Sequence, residues 1–155
     1  MNYAISEHVE NAGVHSGDAT LLLPQQTLSP KQVELVDEIT HKMAAALHVT
    51  GPFNMQLIAR GDEVKVIETN LRASRSFPFS SKCLGVNFIE TATRAMCGTE
   101  ALAPMARTTP EKDFVGVKAP MFSFQRLKGA DPSLSARIGE SACTTSKWVS
   151  GTETN

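Results

Sequence analysis

Three polar side chains occupy alternate positions at the end of an apolar run, in the stretch VIETNLRASRSFPF over residues 66–79. They are Glu68, Asn70 and Arg72. In an extended chain, residues i, i+2 and i+4 point to the same side, so a strand here would present a carboxylate, a carboxamide and a guanidinium together. Such a row is poor core material and suits a ligand site. The pattern is short, and an exposed strand end with ordinary polar residues explains it equally well.

A glutamine in the preceding apolar run joins this row if the two runs form a hairpin. FNMQLIAR and EVKVIETN are separated by a Gly-Asp turn signal, which predicts antiparallel strands. A three-residue loop over 61–63 would place Arg60 opposite Val64. The same register brings Gln56 opposite Glu68, with both side chains on one face.

The donor atoms of this row indicate a kind of ligand. The oxygens of Gln56, Glu68 and Asn70 are hard donors of the kind that Mg²⁺ takes while it bridges nucleotide phosphates. The guanidinium of Arg72 can bind a phosphate or a carboxylate through two parallel hydrogen bonds. These residue types therefore point to a metal-nucleotide site at this end of the hairpin.

The rest of the hairpin is apolar on both faces in this register. Leu57 and Ile67 would lie on one side, and Ile58 and Val66 on the other. Strands with apolar residues on both faces belong to sheets that are buried on both faces. We therefore expect other elements to cover the hairpin from two sides.

Local signals around the hairpin predict an alternation of strands and helices. Ser29, Pro30 and Gln32 form a capping-box pattern with a first-turn proline, which marks a helix start. Asn87 with Glu90 marks a second helix start. The predicted elements are strands over 3–9, 19–23 and 114–118, the first two paired, helices over about 30–48 and 88–97, and a polar loop over 99–112.

Composition limits the class of protein. The chain has 155 residues, 41% of them hydrophobic, and a net charge of −1, which suits one soluble domain or part of a larger one. The near-neutral charge argues against nucleic acid or a membrane surface as partner, and no run of about 18 apolar residues exists to span a bilayer. Cys83, Cys97 and Cys143 fit neither a disulfide framework nor a CxxC metal motif, so we expect reduced thiols.

Three long segments carry a family resemblance. They are EHVENAGVHSGDATLLLP, VTGPFNMQLIARGDEVKVIETNLRASRSFPFSSKCLGVNFIETATRAMCG and VGVKAPMFSFQRLKGADPSL. In order and spacing, over about residues 4–134, they resemble the second ATP-grasp unit of the large chain of carbamoyl-phosphate synthases. The implied fold class is α+β, part of the C-terminal lobe of an ATP-grasp domain, with an antiparallel sheet and flanking helices. Within the family, NLRASRSFPF and KAPMFSF favour the animal, ammonia-dependent urea-cycle type over the multifunctional pyrimidine-pathway type.

The resemblance also implies roles for particular residues. The implied metal ligands are Gln56, Glu68 and Asn70. The implied nucleotide-binding residues are Val14, His15, Ser16, Gln56 and Glu68. Arg72 is the implied catalytic residue, in contact with the phosphate or carbamate end. Val14, His15 and Ser16 lie in a loop flanked by glycines. The backbone amides of such a loop can approach an anion, which agrees with these roles.

The implied reaction is the ATP-dependent phosphorylation of carbamate, made from bicarbonate and the nitrogen of ammonia or glutamine, with Mg²⁺ or Mn²⁺ at the phosphates. The implied partners are ATP, carbamate and the remainder of the synthase chain. The implied location is the mitochondrial matrix for the urea-cycle type and otherwise the cytoplasm. Because the upstream lobe of the family would lie before Met1, the alternative is a truncated, non-catalytic fragment that binds metal, nucleotide or a partner surface.

The end of the chain departs from the family pattern. Residues 135–155 are rich in Ser and Thr and contain few large apolar residues. Burial can then offset little of the ordering entropy, which is roughly 1–2 kcal/mol per residue. We expect a partial ATP-grasp domain over 1–134 and an unpacked, disordered tail over 135–155.

Some residues near these motifs have two interpretations. Lys118, in a predicted strand, either reaches a phosphate or is solvated. Arg75 either serves as the second basic residue of the motif or forms a structural salt bridge. Phe77, Phe79 and Met96 are expected to pack in the core and not to bind a ligand.

Overall fold

The computed structural model describes residues 2–14, 16–99, 106–107, 114–121 and 143–149. In this part of the chain, no helix is long and apolar enough to cross a bilayer. The elements in chain order are β1 (Asn2–Tyr3), β2 (Glu7–His8), β3 (Leu21–Leu23), α1 (Pro30–Ala46), β4 (Asn54–Arg60), β5 (Glu63–Asn70), α2 (Phe77–Leu84), α3 (Phe88–Met96), β6 (Ala106–Arg107), β7 (Val115–Met121) and β8 (Cys143–Val149).

Most of the strand pairing is antiparallel. Strands β2, β3, β7 and β8 form a four-stranded antiparallel sheet in that order, and β4 and β5 form a separate antiparallel hairpin. Strands β1 and β6 form a short parallel pair. With the helices, these sheets confirm the α+β class, and the pairing of β2 with β3 confirms the predicted first pair of strands.

Helix α1 begins where the capping residues predict. The side chain of Ser29 accepts a hydrogen bond from the backbone N–H of Gln32 at 3.2 Å, and Oε1 of Gln32 accepts one from the backbone N–H of Ser29 at 2.8 Å. The helix ends at Ala46, close to its predicted end. Nε2 of Gln32 also donates to the carbonyl of Gly61 at 2.8 Å, so the start of α1 is fastened to the hairpin loop.

The main core cluster joins the four-stranded sheet to α2 and α3. Its buried members are Ala19, Leu21, Leu23, Phe79, Cys83, Leu84 and Phe88. The sequence pattern does not predict α2 as a helix, but it correctly predicts that Phe79 is buried and that Phe77 packs against the core. The prediction for Met96 is wrong, because its side chain is 65% exposed at the end of α3, where it lies over Gly51 outside the core.

A second core cluster joins the hairpin to α1. Ile5, Val33 and Val36 are buried there, and Leu57 and Val64 of the hairpin pack against them. Burial of these apolar side chains, at about 25 cal/mol per Å² of apolar surface, holds one face of the hairpin against the helix. The position of the polar residues on β4 and β5 therefore depends on this contact.

The hairpin loop is shorter than predicted. Arg60 pairs with Glu63, so the loop consists of residues 61–62, and the prediction that Arg60 faces Val64 is wrong. Gly61 has a φ of 56°, a left-handed backbone angle that glycine adopts without strain. This conformational freedom allows the tighter turn.

A β-bulge in β5 changes the register farther from the loop. Leu57 pairs with Val66, whereas Gln56 pairs with Glu68, so Ile67 is the extra residue of the bulged strand. The predicted opposition of Gln56 and Glu68 is confirmed. Because directly opposed residues of antiparallel strands share a face, both side chains lie on the same side of the hairpin.

The bulge also changes the partition of apolar residues between the two faces. Leu57 shares a face with Val66 and not with Ile67, so the predicted partition is wrong. The expectation of cover on both sides is wrong for the described residues as well, because Ile58, Val66 and Ile67 are 39%, 39% and 51% exposed. One face packs on α1 through Leu57 and Val64, and the opposite face carries the polar row.

Strand β8 differs from the prediction of an unpacked tail. The backbone of Cys143–Val149 pairs with β7, with Val149 opposite Val115 and Cys143 opposite Met121. For these residues the prediction is wrong, because pairing with the open edge of β7 satisfies backbone hydrogen-bonding groups without many large apolar side chains. The rest of 135–155 falls outside the described residues, and the domain boundary at 134 stays a prediction.

Two of the cysteines match the expectation of free thiols. Cys83 and Cys97 form no disulfide bond. Cys83 is buried and Cys97 is exposed. Burial raises the pKa of the Cys83 thiol to about 11, which keeps it protonated and unreactive at neutral pH. The side chain of Cys143 is not among those described.

Candidate functional site

The polar face of the hairpin contains four amide and carboxylate side chains. Gln56 is opposite Glu68, and Asn54 is opposite Asn70. Residues two apart on a strand share a face, so all four lie side by side. Asn54 is not among the predicted ligands, although its position two residues before Gln56 places it on the same face and was sufficient to find it.

Hydrogen bonds orient the carboxamides of this row. Nε2 of Gln56 donates to the backbone carbonyl of Val14 at 3.4 Å. Nδ2 of Asn70 donates to Oε1 of Glu68 at 3.0 Å. Since both amide nitrogens are used in this way, the amide oxygens are the atoms that these side chains can offer to a cation.

The loop between β2 and β3 lies beside the row. The contact from Gln56 to Val14 joins this loop to the hairpin across 42 residues of sequence. Ser16 is half-buried in the same loop. The structure thus brings Val14, Gln56, Glu68 and Asn70 into one region, as predicted, whereas His15 is outside the described residues.

Arg72 does not lie on the extended strand that the sequence pattern predicted. Strand β5 ends at Asn70, so the alternation of an extended chain does not continue to Arg72. Its side chain is exposed, and its guanidinium donates to the carbonyl of Ala73 at 3.3 Å. The role of Arg72 toward a phosphate or carbamate stays a prediction.

The structure excludes one of the two predicted interpretations of Lys118, the solvated lysine, and contact with a phosphate stays a prediction. It is 1% exposed, so it is not a solvated strand lysine. Its Nζ donates to the backbone carbonyls of Ser16 at 2.9 Å and Gly17 at 3.2 Å. The lysine therefore contacts the backbone of the loop that carries predicted nucleotide-binding residues.

Charged side chains surround the Lys118 amine. Burial lowers its pKa below the ordinary value, and the nearby positive charge of Arg75 lowers it further, whereas Asp18 and Glu10 raise it. The guanidinium of Arg75 also lies against Gly17, so closely that a Cβ on this residue would overlap it. Because the guanidinium is the end of a flexible side chain, a larger residue at position 17 would displace Arg75 from the loop.

A cleft of about 1050 Å³ opens next to this region. It lies between the hairpin, α1, α3 and the segment around β2, and Ser16 and Gln56 are the predicted site residues that line it. Glu68 and Asn70 are not part of its lining. Because Asn54 and Gln56 do line it, the shape of the cleft alone would have identified only half of the polar row.

The oxygen atoms of the polar row are suited to Mg²⁺ that is also bound by phosphates and water. Among the described residues, no group of three or more His, Cys, Asp or Glu side chains could hold a metal ion. The row supplies one carboxylate, from Glu68, and neutral amide oxygens from its neighbours. Such a set fits Mg²⁺, which is commonly held by one or two carboxylates together with substrate phosphates and water.

The fold and the row together define an α+β domain in which a hairpin with hard oxygen donors stands beside a glycine-containing loop, an arrangement suited to a metal-nucleotide complex. Residues 4–103 match the family described as carbamoyl-phosphate synthase L chain, ATP binding domain. This match covers more than half of the chain. The chain belongs to this family.

Similar proteins come from two branches of the family. The multifunctional protein pyrABCN of Emericella nidulans is 58% identical over 141 residues, which cover 89% of this chain and 6% of that protein. The mitochondrial carbamoyl-phosphate synthase [ammonia] of Aquarana catesbeiana is 54% identical over 150 residues, and that of Homo sapiens is 53% identical over 150 residues. Each of these two matches covers 92% of this chain and 10% of the relative.

These figures set the extent of the likeness. The chain spans a tenth or less of the length of the relatives named above. Because 92% of a 155-residue chain is more than 134 residues, the matches to the ammonia-dependent enzymes continue past residue 134, farther than the sequence motifs indicated. The relatives support the family and do not decide between its branches.

Proposed function

We propose that this chain forms one side of the site at which a carbamoyl-phosphate synthase uses Mg²⁺ and ATP to phosphorylate carbamate. The observation that carries the proposal is the pairing of Gln56 with Glu68, extended by Asn54 and Asn70 on the same face of the hairpin. Membership of the ATP-binding domain family supports the use of ATP.

Each part of the site has a proposed role. Gln56, Glu68 and Asn70 would hold Mg²⁺ or Mn²⁺ through oxygen atoms, and a bound divalent ion would neutralise phosphate charge during transfer. The loop carrying Val14, His15 and Ser16 would contact the nucleotide, and Glu68 and Gln56 would border it. Arg72 would pair with the phosphoryl or carbamate group through its planar guanidinium.

A second candidate function is binding of metal and nucleotide without turnover. The exposure of Glu68 and Arg72 favours it, because both side chains open to solvent in the described structure. A phosphoryl-transfer site needs reactants fixed in line and water kept out. The two functions share the same residues and differ in whether other parts of a synthase close the site.

A separate part of the proposal is the branch of the family to which the chain belongs, ammonia-dependent or multifunctional. The sequence segments NLRASRSFPF and KAPMFSF still favour the ammonia-dependent type, which would act in the mitochondrial matrix. The multifunctional relative of Emericella nidulans is 58% identical to the chain, and the ammonia-dependent relative of Aquarana catesbeiana is 54% identical. The cytoplasmic, pyrimidine-pathway alternative therefore stands beside it.

Nucleotide titration tests the proposed function directly. The 155-residue chain is expected to bind a non-hydrolysable ATP analogue in the presence of Mg²⁺, as measured by isothermal titration calorimetry, and to lose this binding when EDTA removes the metal. The reason is that the row offers oxygen donors for a cation that bridges phosphates. GTP with Mg²⁺ serves as the control for nucleotide selectivity. Binding that is equally strong with EDTA, or no binding at all, contradicts the proposal.

A further inference from the structure

We propose that Lys118 is a positioning residue for the nucleotide-binding loop, acting from beneath it through the backbone carbonyls of Ser16 and Gly17. This inference rests on the proposed function, because the loop matters to affinity only if it contacts a nucleotide. In this role Lys118 acts through the loop and does not touch the ligand.

The location of Lys118 on the sheet is unusual for a lysine. It pairs with Leu21 across β7 and β3, so its side chain starts on the same face as that core leucine. Within the described residues it is among the largest fully buried side chains. Removing an ammonium group from water is costly unless hydrogen bonds and charges compensate. A compensating set of partners is therefore required.

The loop supplies these partners. Nζ of Lys118 donates to the carbonyls of Ser16 and Gly17, which are 102 and 101 residues away in sequence. Asp18 and Glu10 add negative charge that favours the charged amine, whereas burial and the positive charge of Arg75 oppose it. A single side chain thus ties β7 to the loop at two consecutive peptide groups.

These contacts determine the direction of the loop amides. In a planar trans peptide the carbonyl and the following N–H point in opposite directions. Because the carbonyls of Ser16 and Gly17 point to Lys118, the N–H groups of Gly17 and Asp18 point away from it. Lys118 therefore fixes the orientation of these two peptide groups and, with it, the conformation of the loop.

The other side of the loop is held by the polar row. Gln56 donates to the carbonyl of Val14, so the loop is fixed between Lys118 on the sheet and Gln56 on the hairpin. The guanidinium of Arg75 packs against Gly17 as a third support. Loss of Lys118 should therefore change the conformation of the loop while leaving the pairing of Gln56 with Glu68 in place.

Substitution of Lys118 separates these effects. In Lys118→Met, the affinity for the ATP analogue with Mg²⁺ is expected to fall about 10-fold or more, by analogy with residues that orient metal ligands, whose loss typically costs about 10–100-fold. Affinity for Mn²⁺ alone, measured by water-proton relaxation, is expected to stay unchanged because the hairpin donors are intact. Lys118→Arg, which keeps a charged donor, should recover part of the nucleotide affinity. Lys42→Met, at an exposed lysine of α1, is the matched control and should change neither quantity.

Several outcomes overturn the proposal. A folded Lys118→Met that binds nucleotide like the wild type excludes a positioning role, and an equal loss of Mn²⁺ and nucleotide affinity shows a general structural effect instead. If Lys118→Met does not fold, the comparison is made with Lys118→Gln, and wild-type nucleotide affinity in that variant excludes the role as well. Failure of the wild-type chain to bind nucleotide instead overturns the proposed function, and the positioning role falls with it.

Discussion

Glu68→Gln is expected to remove metal-dependent nucleotide binding by this chain. The substitution keeps the size and hydrogen-bonding shape of the side chain but eliminates the single carboxylate of the row formed with Gln56 and Asn70. Neutral amide oxygens alone are weak ligands for Mg²⁺, which is usually anchored by at least one carboxylate. Residues that only support a metal ligand contribute about 10–100-fold to affinity, so the loss of the ligand itself should be about 100-fold or more. Calorimetry with the ATP analogue and relaxation measurements with Mn²⁺ would both detect it.

A nearby glutamate provides the matched control. Glu63 lies on the same strand, is exposed, and pairs with Lys65 at 3.0 Å. Glu63→Gln removes the same charge from β5 without touching the row, and binding should be retained. If Glu68→Gln binds Mg²⁺ and nucleotide as the wild type does, the metal assignment is wrong even though the predicted register is right.

The 155-residue chain by itself is expected to form no carbamoyl phosphate from Mg²⁺, ATP, bicarbonate and ammonia. Glu68 and Arg72 are exposed, so the described residues do not exclude water from the proposed site. Misplacement of reacting groups by about 1 Å can cost on the order of 10²-fold in rate. A site open to solvent holds ATP and carbamate far less firmly in position and admits water. The measurement is production of carbamoyl phosphate and ADP over a long incubation.

An intact synthase from the same family serves as the positive control for this assay. Carbamoyl phosphate formed above background by the 155-residue chain, and abolished by Glu68→Ala, would show that this half of the site suffices and would contradict the expectation. ADP formation that persists in Glu68→Ala would indicate a contaminating ATPase. Binding without turnover would agree with both candidate functions in an isolated chain.

Much of the local structure followed from short stretches of sequence. Ser29 and Gln32 marked the start of α1 because a capping box involves only residues three apart. The two apolar runs marked the hairpin, and the family motifs marked the residues of the polar row. Such signals depend on neighbours in the chain, so no tertiary contact is needed to interpret them.

Other features depended on contacts between distant segments. The two-residue loop shifts the register of the hairpin by one residue, and the bulge at Ile67 shifts it back. The predicted opposition of Gln56 and Glu68 is therefore correct although the predicted loop is not. Packing of Leu57 on α1 gives the hairpin one core face, and this contact is not visible from the alternation of residues in β4 and β5. A one-residue change of register reverses the facing of a strand, so loop length alone could not decide the site.

The sequence by itself determined the family, the α+β class and the types of residue in the polar row at Gln56, Glu68 and Asn70, because residue types and local spacing carry that information. Only the tertiary structure decided the burial and the contacts of Lys118, whose partners are more than a hundred residues away. In sequence it is an ordinary strand lysine. Burial against the core, with two loop carbonyls as acceptors, makes it a support of the proposed site, since the cost of burying its charge must be compensated by those specific contacts.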